Sequence, residues 1–251
     1  SFTETPPLSD PMETLLPAFG AALEIEDAAD GARTLRLEGR RDLKPQKLVI
    51  PGDPLLAAFP MVAALIVEGS AVTLRGAASG PSRLALVETL AAMGAAITLS
   101  DRRMAAGEPV ADLEIAAGPL KAVTIVPARA AALFDVLPAL AVAAAFAEGR
   151  TVIEGLGALR RRPGDPIGTL VASLKASGVT CEEGPESLAI TGARLAAADG
   201  ALAMALLVLG LRAEGGVVIE DGSGVSADWP GFAAAMAGLG AAIGPLQTDG
   251  T

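Results

Sequence analysis

Long, almost uninterrupted apolar runs recur along the chain, and each leads through a glycine turn into a short β-branched stretch. The three copies read FPMVAALIVEGSAVTL (59–74), LPALAVAAAFAEGRTVI (137–153) and ALAMALLVLGLRAEGGVVI (201–219). A second pattern, a helix that ends in glycine and continues as a strand, interleaves with the first around Gly20, Gly94, Gly178 and Gly240. Such self-similarity indicates one supersecondary unit that is used several times.

The spacing of these patterns predicts three successive helix-and-strand units. The first has helices over 55–68 and 82–93, strands over 71–75 and 96–99, and paired strands near 112–115 and 122–126. The second has helices over 130–148 and 166–177 and strands over 151–154, 179–182 and 187–190. The third has helices over 199–213 and 229–239 and strands over 216–219 and 241–243. This alternation predicts an α/β fold with some parallel strand pairing. The first helix of each unit is apolar all round and is therefore expected to be buried.

The segment before these units predicts a smaller element group and a hinge. A short amphipathic helix over 13–19, strands over 22–25 and 34–37, and a strand over 48–50 are expected there. The sequence then reads Pro51-Gly52-Asp53-Pro54, a composition typical of a turn or hinge. We therefore predict a partial domain over 1–52 and a second domain over 53–251. The polar stretch 101–111 is expected to be a solvated hairpin or loop.

Composition excludes several classes of function. The apolar runs are about 11 residues long and a membrane span needs roughly 20, so buried helices are expected rather than a membrane span. The net charge of −10 argues against a nucleic-acid partner. The single cysteine, Cys181, excludes an internal disulfide and suits a reducing, cytoplasmic compartment. With no histidine, the usual zinc sites and His-based triads cannot be built, and no metal or cofactor is expected.

The local sequence resembles the 5-enolpyruvylshikimate-3-phosphate (EPSP) synthases, members of the enolpyruvyl transferase family. The segments that carry the resemblance include VIPGDPLLAAFPMVAALIVEGSAVTLRG (49–76), GPSRLALVETLAAMGAAITL (80–99), LKASGVTCEEGPESLAITG (174–192) and WPGFAAAMAGLGAAI (229–243). The resemblance covers almost the whole chain but only the later part of the family's length. It implies βαβαββ units with buried helices and outer sheets, an inverse α/β barrel, here with about three units plus a partial one.

The resemblance also implies a reaction and a site. The family transfers the enolpyruvyl group of phosphoenolpyruvate to shikimate 3-phosphate, in aromatic amino-acid biosynthesis, in a cleft between two domains. Joining two anions needs Lys and Arg side chains that hold phosphate and carboxylate, and carboxylates that move protons. The family motif D-E-x-P corresponds to residues 135–138, which makes Asp135 the candidate catalytic carboxylate. Alternatively, Asp135 caps the apolar helix that follows it.

Other family positions are substituted. The motif R-V-K-E-S-D-R corresponds to residues 160–166, where the lysine is Arg162, the glutamate is Pro163 and the last arginine is Pro166. A further phosphoenolpyruvate-binding arginine corresponds to Ala201, whereas Arg83 matches the arginine of the family's N-P-T-R. Arg160, Arg162 and Arg83 are therefore the candidate anion-binding residues. The alternative is that the arginine run from 160 to 162 is a solvated loop.

Three functions are open at this stage, and the enzyme assignment itself is undecided. The first is an EPSP synthase-like protein that is catalytically inactive as this chain. The second is an active 3-phosphoshikimate 1-carboxyvinyltransferase that is completed by an N-terminal half. The third is a non-enzymatic binding or regulatory module. Shikimate 3-phosphate or another small anion is the expected ligand, and an incomplete repeat that exposes apolar surface favours self-association.

Overall fold

The computed structural model describes residues 1–5, 12–67, 69–80, 83–176, 178–191, 200–211 and 223–243. Its helices are α1 (Met12–Ala18), α2 (Pro54–Ile66), α3 (Ala85–Ala92), α4 (Pro127–Ala130), α5 (Leu137–Ala145), α6 (Gly157–Arg160), α7 (Pro166–Ala176), α8 (Gly200–Gly210), α9 (Ser223–Asp228) and α10 (Phe232–Gly238). Its strands are β1 (Phe2–Glu4), β2 (Leu23–Asp27), β3 (Arg33–Leu37), β4 (Ala71–Ala78), β5 (Ala96–Ala105), β6 (Glu108–Ala116), β7 (Thr124–Ile125), β8 (Thr151–Glu154), β9 (Thr180–Glu183) and β10 (Ser187–Thr191). A 3-10 helix, Ala131–Val136, links α4 to α5.

The described strands form three sheets, with the orders β1-β3-β2, β4-β6-β5 and β7-β8-β10-β9. All named pairs are antiparallel except β7 with β8, which is parallel. The predicted α/β fold with some parallel pairing is therefore confirmed. The prediction that strands near 112–115 and 122–126 pair with each other is wrong, because β6 lies between β4 and β5 whereas β7 pairs with β8.

The last two sheets have the same topology, as an internal repeat requires. In the β7-β8-β10-β9 sheet the first strand runs parallel to the second. In the β4-β6-β5 sheet the same place is held by a single parallel bridge between Gly52 and Ala77. The predicted strand over 48–50 is therefore wrong. Pro51 has no N–H to continue a ladder, and Val49 and Ile50 are 75% and 76% exposed.

The polar stretch 101–111 is the tip of a hairpin, as expected. Strands β5 and β6 pair from Ala96↔Ala116 to Ala105↔Glu108, with a register shift between Ser100 and Arg103. The turn lies at Ala106 and Gly107, both at positive φ. The strands extend beyond the predicted apolar residues because exposed polar pairs continue the ladder out into solvent.

Three apolar helices, α2, α5 and α8, pack against one another at the centre of the molecule. From Ala58 to Ile66 every residue of α2 is buried, and so is every residue of α5 except Pro138. The expectation that the first helix of each unit is buried is thus confirmed for units one and two. In the third unit the described side chains Met204 and Leu206 are also fully enclosed.

Some predicted boundaries fail near prolines. The helix expected over 130–148 is divided into α4, the 3-10 helix and α5, and Pro138 lies in the first turn of α5, where a missing N–H costs nothing. The helix expected over 229–239 begins only at Phe232, and residues 241–243 form no strand. The strand predicted over 216–219 lies outside the described residues.

The helical stretch Pro127–Ala145 is long and apolar enough, by length and composition, to cross a membrane. At 19 residues it is longer than the uninterrupted apolar run of about 11 residues in the sequence. However, 61% of its most apolar window is buried inside the structure. A helix in the middle of a packed core has this composition, because all its faces contact other apolar elements.

The N-terminal unit, defined here as residues 1–50 with α1, β1, β2 and β3, has no core among its described residues. No described residue from 1 to 50 is buried. Several of its large apolar side chains are exposed, including Phe2, Met12, Ile25, Leu37 and Leu43. A small sheet with one helix and no buried side chain needs contacts from elsewhere to be stable.

Candidate functional site

Asp135 lies in the 3-10 helix just before α5, with its side chain exposed to solvent. The N-cap position of α5 is Val136, which has no side-chain capping bond. The interpretation of Asp135 as a helix cap is therefore wrong. Its carboxylate has no partner among the described residues, so it is accessible to a ligand.

Arg162 borders a small pocket at the amino ends of two helices. The cavity has a volume of about 110 Å³ and is lined by Phe134, Leu137, Pro138, Leu159, Arg162, Pro166, Ile167 and Leu170. These residues place it where α5 and α7 begin. Asp135 follows Phe134 in the chain but does not line the pocket. The guanidinium of Arg162 has no ion pair among the described residues, so its charge is free to attract an anion.

Arg160 is in a different situation, because acidic residues of its own chain hold it. Its Nη2 donates a hydrogen bond to Oε2 of Glu183 at 3.2 Å, and its Nη1 lies 3.7 Å from Oδ2 of Asp165. Lys175 also reaches Glu183, at 3.4 Å. Only 18% of the Arg160 side chain is exposed, and its Nε is buried without a partner in the described part of the chain. An external anion would have to compete with these carboxylates.

The segment between α6 and α7 is a tight turn. Asp165 has a positive φ of 40°, and its Oδ1 accepts a hydrogen bond from the N–H of Gly168 at 3.0 Å. Pro166 is the first residue of α7. The ring of Pro166 fixes the backbone at the start of the helix.

Arg83 lies in a second, larger pocket beside the predicted hinge. This cavity has a volume of about 310 Å³ and is lined by Leu15, Ile50, Pro51, Gly52, Asp53, Pro54, Leu55, Ala78, Arg83, Ala106 and Glu108. Asp53 caps α2 by accepting the N–H of Leu55 at 2.8 Å. Arg83 forms no ion pair with the described residues.

The two arginine pockets occupy equivalent places in the repeat. Each lies at the amino end of the buried first helix of its unit and beside the start of the second helix. Arg83 precedes α3 in unit one, and Arg162 precedes α7 in unit two. The structure therefore keeps Arg83 in one pocket and Arg162 at another, and Asp135 directly follows Phe134, which lines the second pocket. It does not collect the four predicted residues in one cavity.

The acidic partners of Arg160 were not predicted from the sequence. Glu183 is 23 residues from Arg160 and belongs to β9. No local pattern links the two positions, since only the packing of α6 beside the sheet brings them together. Asp165 could have been found from its place before Pro166 at a helix start.

Comparisons with known proteins decide the family. Residues 4–236 match the family model for EPSP synthase, 3-phosphoshikimate 1-carboxyvinyltransferase. This chain belongs to the EPSP synthase family. It is 43% identical over 244 residues to the 3-phosphoshikimate 1-carboxyvinyltransferase of Brucella abortus, an alignment that covers 93% of this chain and 54% of that protein. The corresponding enzyme of Rhizobium johnstonii is 44% identical over 247 residues, covering 93% and 55% of the two chains.

Solved structures agree with this assignment. An EPSP synthase from Acinetobacter baumannii superposes with a TM-score of 0.85 at 31% identity, covering 95% of this chain and 56% of that one. The enolpyruvyl transferase NikO from Streptomyces tendae superposes with a TM-score of 0.66 at 20% identity, covering 95% and 55%, a likeness of fold alone. The chain thus spans about half the length of the EPSP synthases it matches.

Proposed function

We propose that this chain is an EPSP synthase-family scaffold that does not catalyse enolpyruvyl transfer as it stands. The observation that carries the proposal is the turn between α6 and α7. Here Arg160 is paired with Glu183 and Asp165, and Pro163 and Pro166 stand where the family resemblance implies a glutamate and an arginine. Each lost contact to a developing charge costs a few kcal/mol of transition-state stabilisation, so several losses together remove most of the rate.

The relatives named as 3-phosphoshikimate 1-carboxyvinyltransferases suggest the ligand class. An anion such as shikimate 3-phosphate fits the unpaired guanidinium of Arg162, with the exposed Asp135 available for hydroxyl groups. An arginine at 162 keeps the positive charge that the resemblance implies there but lacks the primary amine of a lysine. We therefore assign Arg162 and Asp135 to ligand binding and no residue to proton transfer.

Calorimetric titration with shikimate 3-phosphate tests the ligand assignment. Wild-type chain is expected to release heat on binding, and Arg162→Gln is expected to weaken the affinity by about tenfold or more, the loss of one charge-assisted contact. Arg160→Gln is the matched control, because Arg160 is already held by carboxylates, and its effect should stay within about threefold. No heat at millimolar ligand, or equal losses in the two variants, contradicts the assignment.

We also propose a domain boundary at residue 52/53, self-association through the N-terminal unit, and a cytoplasmic location. The boundary is supported by the separate β1-β3-β2 sheet and by the start of α2 at Pro54. Self-association is supported by the exposed apolar side chains of that unit. The location is supported by the single buried cysteine.

A second candidate, the active enzyme completed by an N-terminal half, is favoured by the 43% identity to enzymes of about twice this length. It needs Arg162 and Asp135 to act without the substituted residues at 163, 166 and 201. Phosphate release by this chain joined to the N-terminal part of the Brucella abortus enzyme separates the two candidates.

A further inference from the structure

Asp112 occupies a special place in the β4-β6-β5 sheet, between two irregularities. Strand β4 shifts register against β6 between Leu74 and Ala77, and β5 shifts between Ser100 and Arg103. Asp112, on the central strand β6, lies at the register position where both shifts occur. Its Oδ1 accepts the backbone N–H of Gly76 at 2.8 Å and Nη1 of Arg103 at 3.0 Å. One carboxylate oxygen therefore joins both bulges.

The bulge in β4, between Leu74 and Ala77, hydrogen-bonds to the hinge residue Gly52. Gly52 donates its N–H to the carbonyl of Gly76 at 2.8 Å, and its own carbonyl accepts the N–H of Ala78 at 3.1 Å. Gly76 has a φ of +64°, and a Cβ there would lie 3.3 Å from Nη2 of Arg103. The carbonyl of Gly76 binds the hinge residue Gly52, and the N–H of Gly76 binds the Asp112 carboxylate. The contact to the hinge thus depends on a backbone conformation of Gly76 that Asp112 stabilises.

The bulge in β5 directs the hairpin towards the N-terminal unit. Arg103 donates from Nη1 to the carbonyl oxygen and to Oδ2 of Asp101, each at 2.7 Å. Beyond this point the hairpin turns at Gly107, where an added Cβ would lie 3.1 Å from the carbonyl oxygen of Thr14 in α1. The backbone of the hairpin tip therefore lies against the backbone of α1. At the base of the tip, Arg103 hydrogen-bonds to Asp101 and Asp112.

We propose that Asp112 is a positioning residue that fixes the orientation of the N-terminal unit relative to the rest of the molecule. It acts through two contacts, the hinge peptide at Gly52 and the hairpin tip at Gly107. The side chain of Asp112 is only 15% exposed. The Gly76 N–H and the Arg103 guanidinium hold the pKa of its carboxyl below the usual range, so both bonds are charge-assisted at neutral pH. The role is independent of whether the chain is catalytic.

Hydrogen–deuterium exchange on the full chain tests this role. In Asp112→Ala, peptides that contain Gly52 and peptides that contain Ala78 are expected to exchange roughly tenfold faster, the usual scale for losing a hydrogen bond to a charged group. Peptides over α1 are expected to gain exchange as well. Peptides over α5 serve as an internal reference and should exchange at the wild-type rate.

Two further variants separate positioning from general stability. Asp112→Asn keeps an oxygen for the Gly76 N–H but loses the ion pair, so hinge exchange should fall between wild type and Asp112→Ala. Asp101→Asn removes an exposed carboxylate that pairs with the same Arg103 and is expected to leave hinge exchange within about twofold of wild type. Unchanged hinge exchange in Asp112→Ala overturns the proposal. The proposal is also overturned if the exchange rate rises equally in the hinge and in α5, whether in Asp112→Ala or in Asp112→Asn.

Discussion

Cys181 shows how burial, as the largest cause, changes the chemistry of a side chain. It lies in β9 and is buried, and this burial raises the pKa of its thiol from the ordinary 9.0 to about 11. Lys175 opposes this shift only in part. The thiol is therefore protonated at neutral pH and is a structural side chain rather than a nucleophile.

Thiol labelling checks this conclusion. At pH 8 the native chain is expected to react with a disulfide reagent about a hundredfold more slowly than the urea-unfolded chain, because the pKa lies about two units higher. Cys181→Ala gives the background. Equal labelling rates in the native and unfolded chains would show that the thiol is accessible.

The raised pKa of Cys181 also links its thiol to stability. The contribution of Cys181 to the free energy of unfolding is constant below pH 9 and decreases as the pH rises towards 11.

Thr151 allows a test of what an unsatisfied buried hydroxyl costs in stability. Its side chain is fully buried at the start of β8, and its hydroxyl has no partner among the described residues. Thr151→Val removes an unsatisfied polar group at almost constant volume and is expected to raise the free energy of unfolding by up to about 1 kcal/mol.

The matched control for Thr151 is Thr89, which is equally buried. Its hydroxyl donates to the carbonyl of Ala85 at 2.7 Å. Thr89→Val is therefore expected to lower the free energy of unfolding by about 0.5–1.5 kcal/mol in urea denaturation. Destabilisation of similar size in both variants would mean that the Thr151 hydroxyl is satisfied in solution.

At the scale of elements, the sequence predicts most helices and strands because apolar runs and glycine ends are local signals. The strands over 151–154 and 187–190 and the helix over 166–177 agree with the structure to within one residue. Besides the boundaries that fail near prolines, strand predictions fail where pairing partners decide the structure. Residues 48–50 are apolar and two of them are β-branched, yet in the described part of the chain it is Gly52 that bridges to β4. Strand β7 has two residues, which is too short a sequence to predict whether it pairs with β6 or with β8.

The candidate site was less predictable than the fold. The family motif identified Arg160 and Arg162 equally, but the structure pairs the first with Glu183 and leaves the second at a pocket. That difference depends on β9, which is distant in sequence. The bonds of Asp112 to two bulges likewise have no sequence signal, because bulges arise from the register of three strands.

The buried helix α5 allows a direct test of the core. Leu140 is fully enclosed in it. Leu140→Ala is expected to lower the free energy of unfolding by about 2–5 kcal/mol, the cost of lost apolar burial plus a cavity. Leu43→Ala, at an exposed position, should change it by less than about 0.5 kcal/mol. Similar small losses in both variants would mean that α5 is not the centre of the fold.

At the scale of the whole molecule, the N-terminal unit is the part that needs a partner. Val49 and Ile50 are the most exposed of its described large apolar residues, at 75% and 76%. We expect light scattering at tens of micromolar to find a dimer or larger species, and Val49→Ser with Ile50→Ser to shift it towards the monomer. Met104→Ser is the control, because Met104 is also exposed but lies on the β5–β6 hairpin. A wild-type monomer, or equal shifts in both variants, contradicts the expectation.

We predict that the substitutions in this chain prevent enolpyruvyl transfer even when an N-terminal half completes it. The most direct measurement is phosphate release from phosphoenolpyruvate and shikimate 3-phosphate by this chain joined to the N-terminal part of the Brucella abortus enzyme. We expect no release above background from this fusion. We expect measurable turnover once Arg162→Lys, Pro163→Glu, Pro166→Arg and Ala201→Arg are introduced together. Turnover by the unsubstituted fusion, at a rate within about tenfold of the intact Brucella enzyme, would contradict the claim.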